Sequence, residues 1–425
     1  MSAVLLLSFL GLLLIGVPVA VALSGSSLLL VMGEGVMPHL VVVHRMISGI
    51  DSFPLLAIPF FIMAGSLMNS GGITERIYDF ALALVGWLKG GLGHVNVVGS
   101  VIFAGMSGTA VADAGGLGNI EIRAMRDHGY DVDFAVGITG ASSTVGPIIP
   151  PSLPMVIYGV MANASIGQLF AAGLIPGLLM AASMMVMVAW YAHVRGFKRD
   201  ATFALSRLWF TFQRAFLPLM TPVLLIGGMT TGIFTPTEAA IAATAYAMVL
   251  GLFVYRTLSW RGLIKVSMET TETTAIILLI VGGASIFGWL ITITKVTDNV
   301  ADLVLSITSE PWAVLLLVNV FLLVVGCFME TIAAITILVP VLLPLMDKVG
   351  VDPVHFGLIM VLNLMIGLLT PPVGLVLYIL ARVADISFER ATKACAPFLI
   401  PLLFTLGLVT YWPGMVLWLP TIFYR

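Results

Sequence analysis

Charged residues are scarce in this chain. Only 9% of its 425 residues are Asp, Glu, Lys or Arg, whereas 60% are hydrophobic. Because a soluble domain carries about 25% charged residues, the composition excludes a soluble protein and predicts an all-α polytopic membrane protein in a lipid bilayer. Nineteen basic residues against 21 acidic residues leave no basic excess, and we therefore expect no nucleic-acid partner.

Cysteine is almost absent as well. Cys327 and Cys395 lie in apolar runs and form neither a disulfide pattern nor a metal-binding pattern. A basic segment before the first apolar stretch is also missing, so we interpret residues 3–22 as a membrane span rather than a cleaved signal. Glycine and proline, in contrast, are abundant, with 43 and 22 residues. Broken membrane helices require both residue types.

One such break is visible between Ser142 and Ser152. It interrupts an apolar segment, near 134–160, that is long enough to cross a bilayer. Each proline there removes an amide donor and clashes with the carbonyl one turn earlier. The freed backbone groups need partners, so the break must be buried in protein or line a polar cavity. The hydroxyls of Ser142, Ser143 and Thr144 make this the composition of a small ion or solute site.

The break recurs in the second half of the chain. The Pro-Pro pairs at 150–151 and 371–372 are 221 positions apart, and the same offset relates two M-x-x-x-G-x-D motifs that begin at Met125 and Met346. Broken segments at corresponding positions of two halves are a sequence signature of a secondary transporter's binding site. If each half crosses the membrane an odd number of times, the repeats are inverted, which we state as a hypothesis.

The repeat divides the chain into three parts. We predict a first membrane repeat (1–194), a basic cytoplasmic linker (195–215) and a second membrane repeat (216–425). The basic side chains of the linker suit the cytoplasmic side of a membrane. Each repeat is expected to hold a re-entrant hairpin and a broken helix; the hairpins lie near 95–124 and 326–346, and the broken helices near 134–160 and 355–380. The glycine-rich stretch 105–116 is predicted to be the turn of the first hairpin.

A hairpin tip beside a broken helix offers the oxygens that a dehydrated Na⁺ ion needs, and half-helix N-termini favour an anionic solute nearby. The candidate ligands are Ser107, Thr109, Ser142, Ser143 and Thr144 in the first repeat, and Thr331, Asn363 and Thr370 in the second. Ser and Thr also bond back to their own helix. This alternative is equally good for any single hydroxyl, whereas the two clusters together favour a binding site.

The acidic residues allow several interpretations. Glu330 follows a long apolar run and could bind a cation, relay a proton or pair with a lysine. Asp113 could be functional or structural. We expect Glu121 to lie where the first hairpin returns to the membrane interface. Glu238 is interpreted as the first-turn acid of a helix capped by Thr235 or Thr237.

Two other protein classes have to be weighed. Gly105-Met106-Ser107-Gly108 matches the G-x-S-G turn of intramembrane serine proteases. Such an enzyme needs a histidine within hydrogen-bond reach of the hydroxyl, and we place none of the six histidines in the middle of a span. The repeat would also have no role in a protease. An ion channel is the third class, but no symmetric pore-lining repeat is visible.

Several long motifs resemble the large membrane subunit of tripartite ATP-independent periplasmic (TRAP) transporters, and the resemblance spans essentially the whole chain. They are DSFPLLAIPFFIMAGSLM (51–68), GMSGTAVADAGGLG (105–118), STVGPIIPPSLPMVIYG (143–159), GIFTPTEAA (232–240), METIAAITILVPVLLP (329–344) and LNLMIGLLTPPVGLVLY (362–378). The resemblance implies a Na⁺-coupled elevator-type carrier, with a scaffold domain and a mobile transport domain, in a bacterial or archaeal cytoplasmic (inner) membrane. It also implies a small four-helix membrane subunit, a periplasmic substrate-binding protein and a small organic anion as solute. Neither an enzymatic activity nor a cofactor other than Na⁺ is expected.

The resemblance also implies site residues. One Na⁺ site would comprise Ser107, Gly108, Thr109, Ser142, Ser143, Thr144, Gly146 and Pro147. The other would comprise Glu330, Thr331, Gly367, Thr370, Pro371 and Gly374. The solute would lie between the two tips, near Ser107, Thr109, Pro150, Pro151, Thr331, Asn363 and Pro372. Thr109 departs from the serine often found in the family but keeps the hydroxyl. A stand-alone Na⁺/dicarboxylate symporter is the alternative function.

Overall fold

The computed structural model describes residues 2–34 and 38–424, and the regular secondary structure of these residues is helical. The helices are α1 (Ser2–Leu14), α2 (Val19–Glu34), α3 (Leu40–Ile50), α4 (Ala57–Ser70), α5 (Ile73–Val85), α6 (Gly91–Ser107), α7 (Ala110–Ala112), α8 (Gly118–Asp127), α9 (Val132–Ser143), α10 (Leu153–Met161), α11 (Ile166–Val194), α12 (Leu205–Thr230), α13 (Pro236–Val249), α14 (Trp260–Ile293), α15 (Val296–Ile307), α16 (Pro311–Phe328), α17 (Thr331–Lys348), α18 (Pro353–Gly367), α19 (Leu375–Ala384), α20 (Phe388–Cys395), α21 (Leu399–Tyr411) and α22 (Pro413–Phe423). Short 3₁₀ turns precede α4 and α21, and π-helical turns follow α7 and α13.

Many of these helices are suited to a membrane. Within the described residues, eight helical segments are long and apolar enough to cross a bilayer, and the longest, α14, has 34 residues. An α-helix rises 1.5 Å per residue, so about 20 residues span the hydrocarbon core. The predicted all-α polytopic membrane fold is therefore confirmed.

The repeat seen in the sequence is also a repeat of helices. When α6, α7, α9, α10 and α11 are shifted by 221 positions, their starts fall within one residue of the starts of α16, α17, α18, α19 and α20. The glycine that ends the first return arm and its counterpart in the second, Gly129 and Gly350, both have positive φ angles, of 78° and 74°. The two sets of helices therefore follow one local plan.

The two sets run in opposite directions through the membrane. Asp131, which caps α9, pairs with Arg195 at the end of α11 at 3.1 Å. Asp352, which caps α18, lines a cavity together with Gln168 at the start of α11. Because the 29 residues of α11 span about 40 Å, α9 and α18 begin at opposite ends of this helix. We call the end near Arg195 the linker side and the end near Gln168 the opposite side.

The hairpins enter from different sides as well. The amide of Gly90, just before α6, donates to Lys198 on the linker side at 3.0 Å. The hydroxyl of Tyr411, where α21 ends, donates to the carbonyl of Trp312 in the first turn of α16 at 3.3 Å. Since α21 continues from α20, which is fixed on the linker side by the pair between Arg390 and Asp133, Trp312 lies on the opposite side. The first hairpin thus enters from the linker side and the second from the opposite side.

The two repeats interlock through the helices that follow their breaks. Helix α10 of the first repeat packs against α17 of the second, and α19 of the second packs against α7, the π turn and α8 of the first. Helix α9 packs against α20 in addition. The remaining spans form other pairs, chiefly α4 with α13, α14 with α2 and α3, and α5 with α12. This exchange brings both breaks into one body of helices.

The linker between the repeats is shorter than predicted. Its non-helical part covers only 195–204, and residues 205–215 are the first turns of α12. The carboxylate of Asp200 accepts hydrogen bonds from the amide of Leu92 at 2.9 Å and from the hydroxyl of Tyr130 at 2.5 Å. Burial raises the pKa of the Tyr130 phenol, which therefore remains a donor at neutral pH. These contacts fasten the linker to the start of α6.

Candidate ion and solute site

The tip of the first hairpin is a two-residue turn. Helix α6 ends at Ser107, whose side chain lies outside the described part of the structure, and Thr109 caps α7 by accepting a hydrogen bond from the Ala112 amide at 3.2 Å. Gly108 between them has φ +60°, and a Cβ atom there would lie 2.5 Å from the carbonyl oxygen of Pro151. Only glycine fits both the backbone angle and the close approach.

The first broken helix meets this tip directly. Helices α9 and α10 are separated by residues 144–152, all of which are buried. The amide of Leu153 donates to the carbonyl of Gly108 at 3.4 Å, and the hydroxyl of Ser152 donates to the carbonyl of Pro147. The predicted residues Gly146, Pro147, Pro150 and Pro151 all lie in this segment. The structure therefore brings the tip and the break of the first repeat together.

The three hydroxyls at the end of α9 all use their protons. Ser143 donates to the Gly140 carbonyl at 2.8 Å and Thr144 to the Ala141 carbonyl at 2.6 Å, as expected for hydroxyls that bond back to their own helix. Ser142 donates across to Oδ1 of Asn96 on α6 at 2.6 Å. A hydroxyl oxygen that donates its proton still has two lone pairs, so these groups remain able to accept a cation.

The second junction has the same plan with different side chains. Glu330, at the position equivalent to Thr109, caps α17 by accepting hydrogen bonds from the amides of Ile332 and Ala333 at 2.9 and 3.2 Å. The amide of Val373 donates to the carbonyl of Cys327 at 3.1 Å and joins the break to the tip. Glu330 is thus a helix cap in the structure, and its cation-binding role stays a prediction.

The second break covers 368–374 between α18 and α19. Thr370 donates to the Ile366 carbonyl at 2.8 Å, and Gly374, with φ +53°, starts α19. Pro371 and Pro372 are exposed, unlike their equivalents in the first repeat. Both Pro-Pro bonds are cis. A side chain at Gly367 would overlap the backbone of Gly326, so this glycine lets α16 and α18 meet at the tip.

Thr331 and Asn363, two buried polar residues of the second repeat, differ in their hydrogen bonding. Thr331 is only 3% exposed, and its hydroxyl has no hydrogen-bond partner. Asn363 lies four residues before the end of α18 and donates to Asn319 on α16 at 2.6 Å. Asn363 therefore joins two helices, as the equivalent Ser142 does in the first repeat, whereas Thr331 presents an unused hydroxyl at the hairpin tip.

The structure corrects two predictions about the first hairpin. The glycine-rich stretch 105–116 is not a long turn, because all of it except Gly108 and Thr109 is helical. Glu121 does not lie at the membrane interface; it is 1% exposed and faces α6. Two signals in the sequence could have placed it inside: its closeness to apolar Ile122 and Met125, and its equivalence to Leu342 in the second repeat.

The capping interpretation of Glu238 is confirmed. Thr235 accepts a hydrogen bond from the Glu238 amide at 3.3 Å, and the carboxylate of Glu238 accepts one from the Thr235 amide at 2.8 Å. This reciprocal capping box starts α13. Glu238 is thus a structural residue.

Comparison with known proteins identifies the family. A family model described as the DctM component of tripartite ATP-independent periplasmic transporters matches residues 6–415. The chain is 47% identical, over 98% of its length and 97% of the relative's, to the sialic acid TRAP transporter large permease protein SiaM of Vibrio cholerae. It is 36% identical, over 97% of its length and 98% of the relative's, to the 2,3-diketo-L-gulonate TRAP transporter large permease protein YiaN of Escherichia coli.

The chain also matches a longer transporter protein and a solved transporter structure. The chain is 44% identical to the sialic acid TRAP transporter permease protein SiaT of Haemophilus influenzae over 89% of this chain, which spans 62% of that protein. The crystal structure of the YdaH transporter of Alcanivorax borkumensis matches with a TM-score of 0.62 and 16% identity, over 88% of this chain and 87% of that chain. That likeness shows a shared fold.

These relatives are transporters rather than enzymes, so the intramembrane protease alternative is wrong. The match covers nearly the whole chain and includes both hairpins and both breaks. The chain belongs to the family of DctM components, the large permease subunits of tripartite ATP-independent periplasmic transporters.

Proposed function

We propose that this protein carries a small organic anion across the bacterial cytoplasmic membrane, driven by Na⁺. The observation that carries the proposal is the pair of junctions, each formed by a hairpin tip seated on a broken helix, in two inverted and interlocked repeats. Broken helices near the middle of inverted repeats form the ion and solute sites of secondary transporters. The same body of helices would move the solute between the two sides as the transport domain of an elevator.

Sodium would bind at both junctions. In the first, the proposed ligands are Ser107, Thr109 and the hydroxyls of residues 142–144, together with carbonyls of the buried break. In the second, the proposed ligands include the unpartnered hydroxyl of Thr331 at the tip and the hydroxyl of Thr370 in the break. Oxygen ligands without net charge suit a monovalent cation, because they replace its water without leaving excess negative charge in the membrane.

An anion is the expected solute. Helices α10, α17 and α19 all start at the junctions, and helix N-termini attract negative charge. The relatives are named for sialic acid, isethionate, 2,3-diketo-L-gulonate and C4-dicarboxylate, all of which are small organic anions. Sialic acid is the first solute to test, since the relatives with 47% and 44% identity are named for it.

We further propose two protein partners. The family belongs to tripartite periplasmic transporters, which suggests a small four-helix membrane subunit and a periplasmic protein that delivers the solute. Uptake into proteoliposomes that contain this chain and the small subunit tests the proposal. Sialic acid uptake should require both an inward Na⁺ gradient and the binding protein. Na⁺-driven uptake without the binding protein would instead support the stand-alone symporter, and uptake without Na⁺ would contradict the proposed sites.

Single hydroxyls can be tested in the same assay. We expect Ser107→Ala, Thr144→Ala and Thr331→Ala to raise the Na⁺ concentration that gives half-maximal uptake. Thr211→Ala is the matched control, because Thr211 also bonds to its own helix in α12 but lies away from both breaks. Unchanged Na⁺ dependence in all three variants would remove these hydroxyls from the proposed sites.

A further inference from the structure

Two buried acids of the first hairpin have no role in either junction. Asp113 and Glu121, in the returning arm, are each 1% exposed. Oδ1 of Asp113 accepts a hydrogen bond from the Ser100 hydroxyl at 3.3 Å, but Oδ2 of Asp113 and both carboxylate oxygens of Glu121 have no partner. Among the ion pairs of the described residues, none includes either acid.

The π-helical turn at Asp113–Leu117 explains how these acids come to share a face. Residues eight apart in an ideal α-helix are rotated by about 80° around the axis. A π turn accommodates one extra residue, which reduces the rotation between Asp113 and Glu121 to about 20°. Both acids therefore point towards α6, where Asp113 meets Ser100 and Glu121 meets Gly99.

The opposing helix leaves room for the Glu121 carboxylate. A Cβ atom at position 99 would lie 2.9 Å from its Oε1 atom, so the glycine gives the carboxylate room in its present position. Asn96, one turn earlier on α6, also faces Glu121, but its amide nitrogen donates to Thr139 at 2.7 Å and its oxygen accepts from Ser142. Asn96 therefore divides its hydrogen bonds among several partners, and this neutral amide does not offset a negative charge on Glu121.

The surrounding helices supply no charge that would compensate the acids. Tyr78 on α5 faces Glu121, and Asp79 follows it. His94 lies near the start of α6, and its Nδ1 atom has no partner. The other titratable groups of the adjoining helices lie towards the exposed ends: Glu75 and Arg76 on α5, Arg123, Arg126 and Asp127 on α8, Asp131 and Asp133 at α9, and Arg382 on α19.

The second repeat shows that a returning arm does not need these acids. The equivalent positions, 221 residues later, are Ala334 and Leu342, and both are buried. Helix α17 there has no π turn. A small residue and an aliphatic residue therefore complete the same packing, and the polar pair is an addition specific to the first repeat.

Two unpaired negative charges cannot both persist in a dry membrane interior, because each would cost several kcal/mol without a partner. Neighbouring carboxyl groups in such a place bind a cation or hold a proton. We propose that Asp113 and Glu121 form a proton-binding site inside the first repeat, separate from the sodium sites at the hairpin tips. A proton requires no coordination shell, which suits two buried acids with few polar neighbours.

Infrared spectroscopy of the purified full chain tests this site without relying on transport. The carbonyl band of a protonated carboxyl group should be present at neutral pH and should lose intensity in Glu121→Gln. Asp113→Asn should weaken or shift the band. Glu269→Gln, which alters an exposed acid on α14, should leave it unchanged. If neither buried-acid variant changes the band, the proposal is overturned.

Sodium titration separates the two possible occupants. A band that is unaffected by Na⁺ supports a proton, whereas carboxylates that become protonated only after Na⁺ is removed would identify a sodium site and overturn the assignment. Should the Gln or Asn variant fail to fold, Glu121→Leu and Asp113→Ala install the residues of the second repeat and keep the test available. In proteoliposomes, deprotonation should lower wild-type uptake at alkaline pH, and this loss should disappear in Glu121→Leu.

Discussion

The two hairpin junctions share a backbone plan but differ in where they hold their polar groups. In the first junction the break is buried throughout, and the acids lie behind the tip in the returning arm. In the second the acid is at the tip itself, as Glu330, and Pro371 and Pro372 are exposed. The helix boundaries of the two repeats correspond whereas their burial and charge differ, so the two proposed ion sites need not have equal affinity or access.

We expect the largest effect from a substitution at the tip of the first hairpin. Gly108→Val should lower the free energy of unfolding by about 1–2 kcal/mol and impair uptake, because a left-handed backbone disfavours a non-glycine residue by about that amount and the Cβ atom would press on Pro151. At the equivalent position of the second tip, Met329 has φ −119°. Met329→Val is therefore the control and should retain most uptake in the same assay. Equal activity of the two variants would contradict the tip geometry.

A second set of variants tests whether the equivalent residues Thr109 and Glu330 stabilise the protein as helix caps. Thr109→Ala and Glu330→Ala should each lower the free energy of unfolding by about 1 kcal/mol through loss of the cap, measured by thermal unfolding in detergent. Glu330→Gln keeps an acceptor for the cap and should keep the stability.

The Gln variant also separates capping from ion binding. If the charge of Glu330 contributes to the second sodium site, Glu330→Gln raises the Na⁺ concentration needed for half-maximal uptake although stability is unchanged. Normal Na⁺ dependence in this variant would assign Glu330 to capping alone. Thr109→Ser, which retains the hydroxyl, is the conservative control for the first tip.

The smallest expected effect concerns the polar contacts between helices. Asn96 meets Ser142 in the first repeat, and Asn319 meets Asn363 in the second. Each contact should contribute about 0.6 kcal/mol, the average for side-chain hydrogen bonds between membrane helices. Each variant also removes a second contact, to Thr139 for Asn96 and to Thr410 for Asn319. Asn319→Leu should still cost more than Asn96→Leu, because an amide proton of Asn363 loses its partner, whereas the Ser142 hydroxyl can keep its bond to the Thr139 carbonyl. Equal melting temperatures of the two variants would contradict this ranking.

Much of the fold could be predicted from the pattern of prolines and glycines. The offset of 221 positions located both breaks, because each combines a Pro-Pro pair with nearby glycines, whereas single prolines such as Pro176 and Pro340 are accommodated inside helices. The direction of the repeats could not be read in the same way. It depends on how many spans separate Asp131 from Asp352, and the apolar segments of the sequence do not fix that number.

The interior of the first hairpin was the harder problem. Small residues between 105 and 118 look like a turn, yet they form helix and let side chains of neighbouring helices approach closely, as Pro222 does at Gly105 and Asn69 at Gly116. The π turn at Asp113 shifts the helical face, so periodicity could not show that Glu121 points inwards. Tertiary packing, rather than local propensity, decides both features.

The exchange of α10 and α19 between the repeats has a consequence for how the chain can be divided. Cleaving the gene within 195–204 would produce two polypeptides, each of which exposes the surface that the other normally covers. Neither half should be stable in isolation, whereas the halves produced together should reassemble by complementation. The two repeats would then form one obligate unit, in which an ion bound at either proposed site would act on the same body of helices.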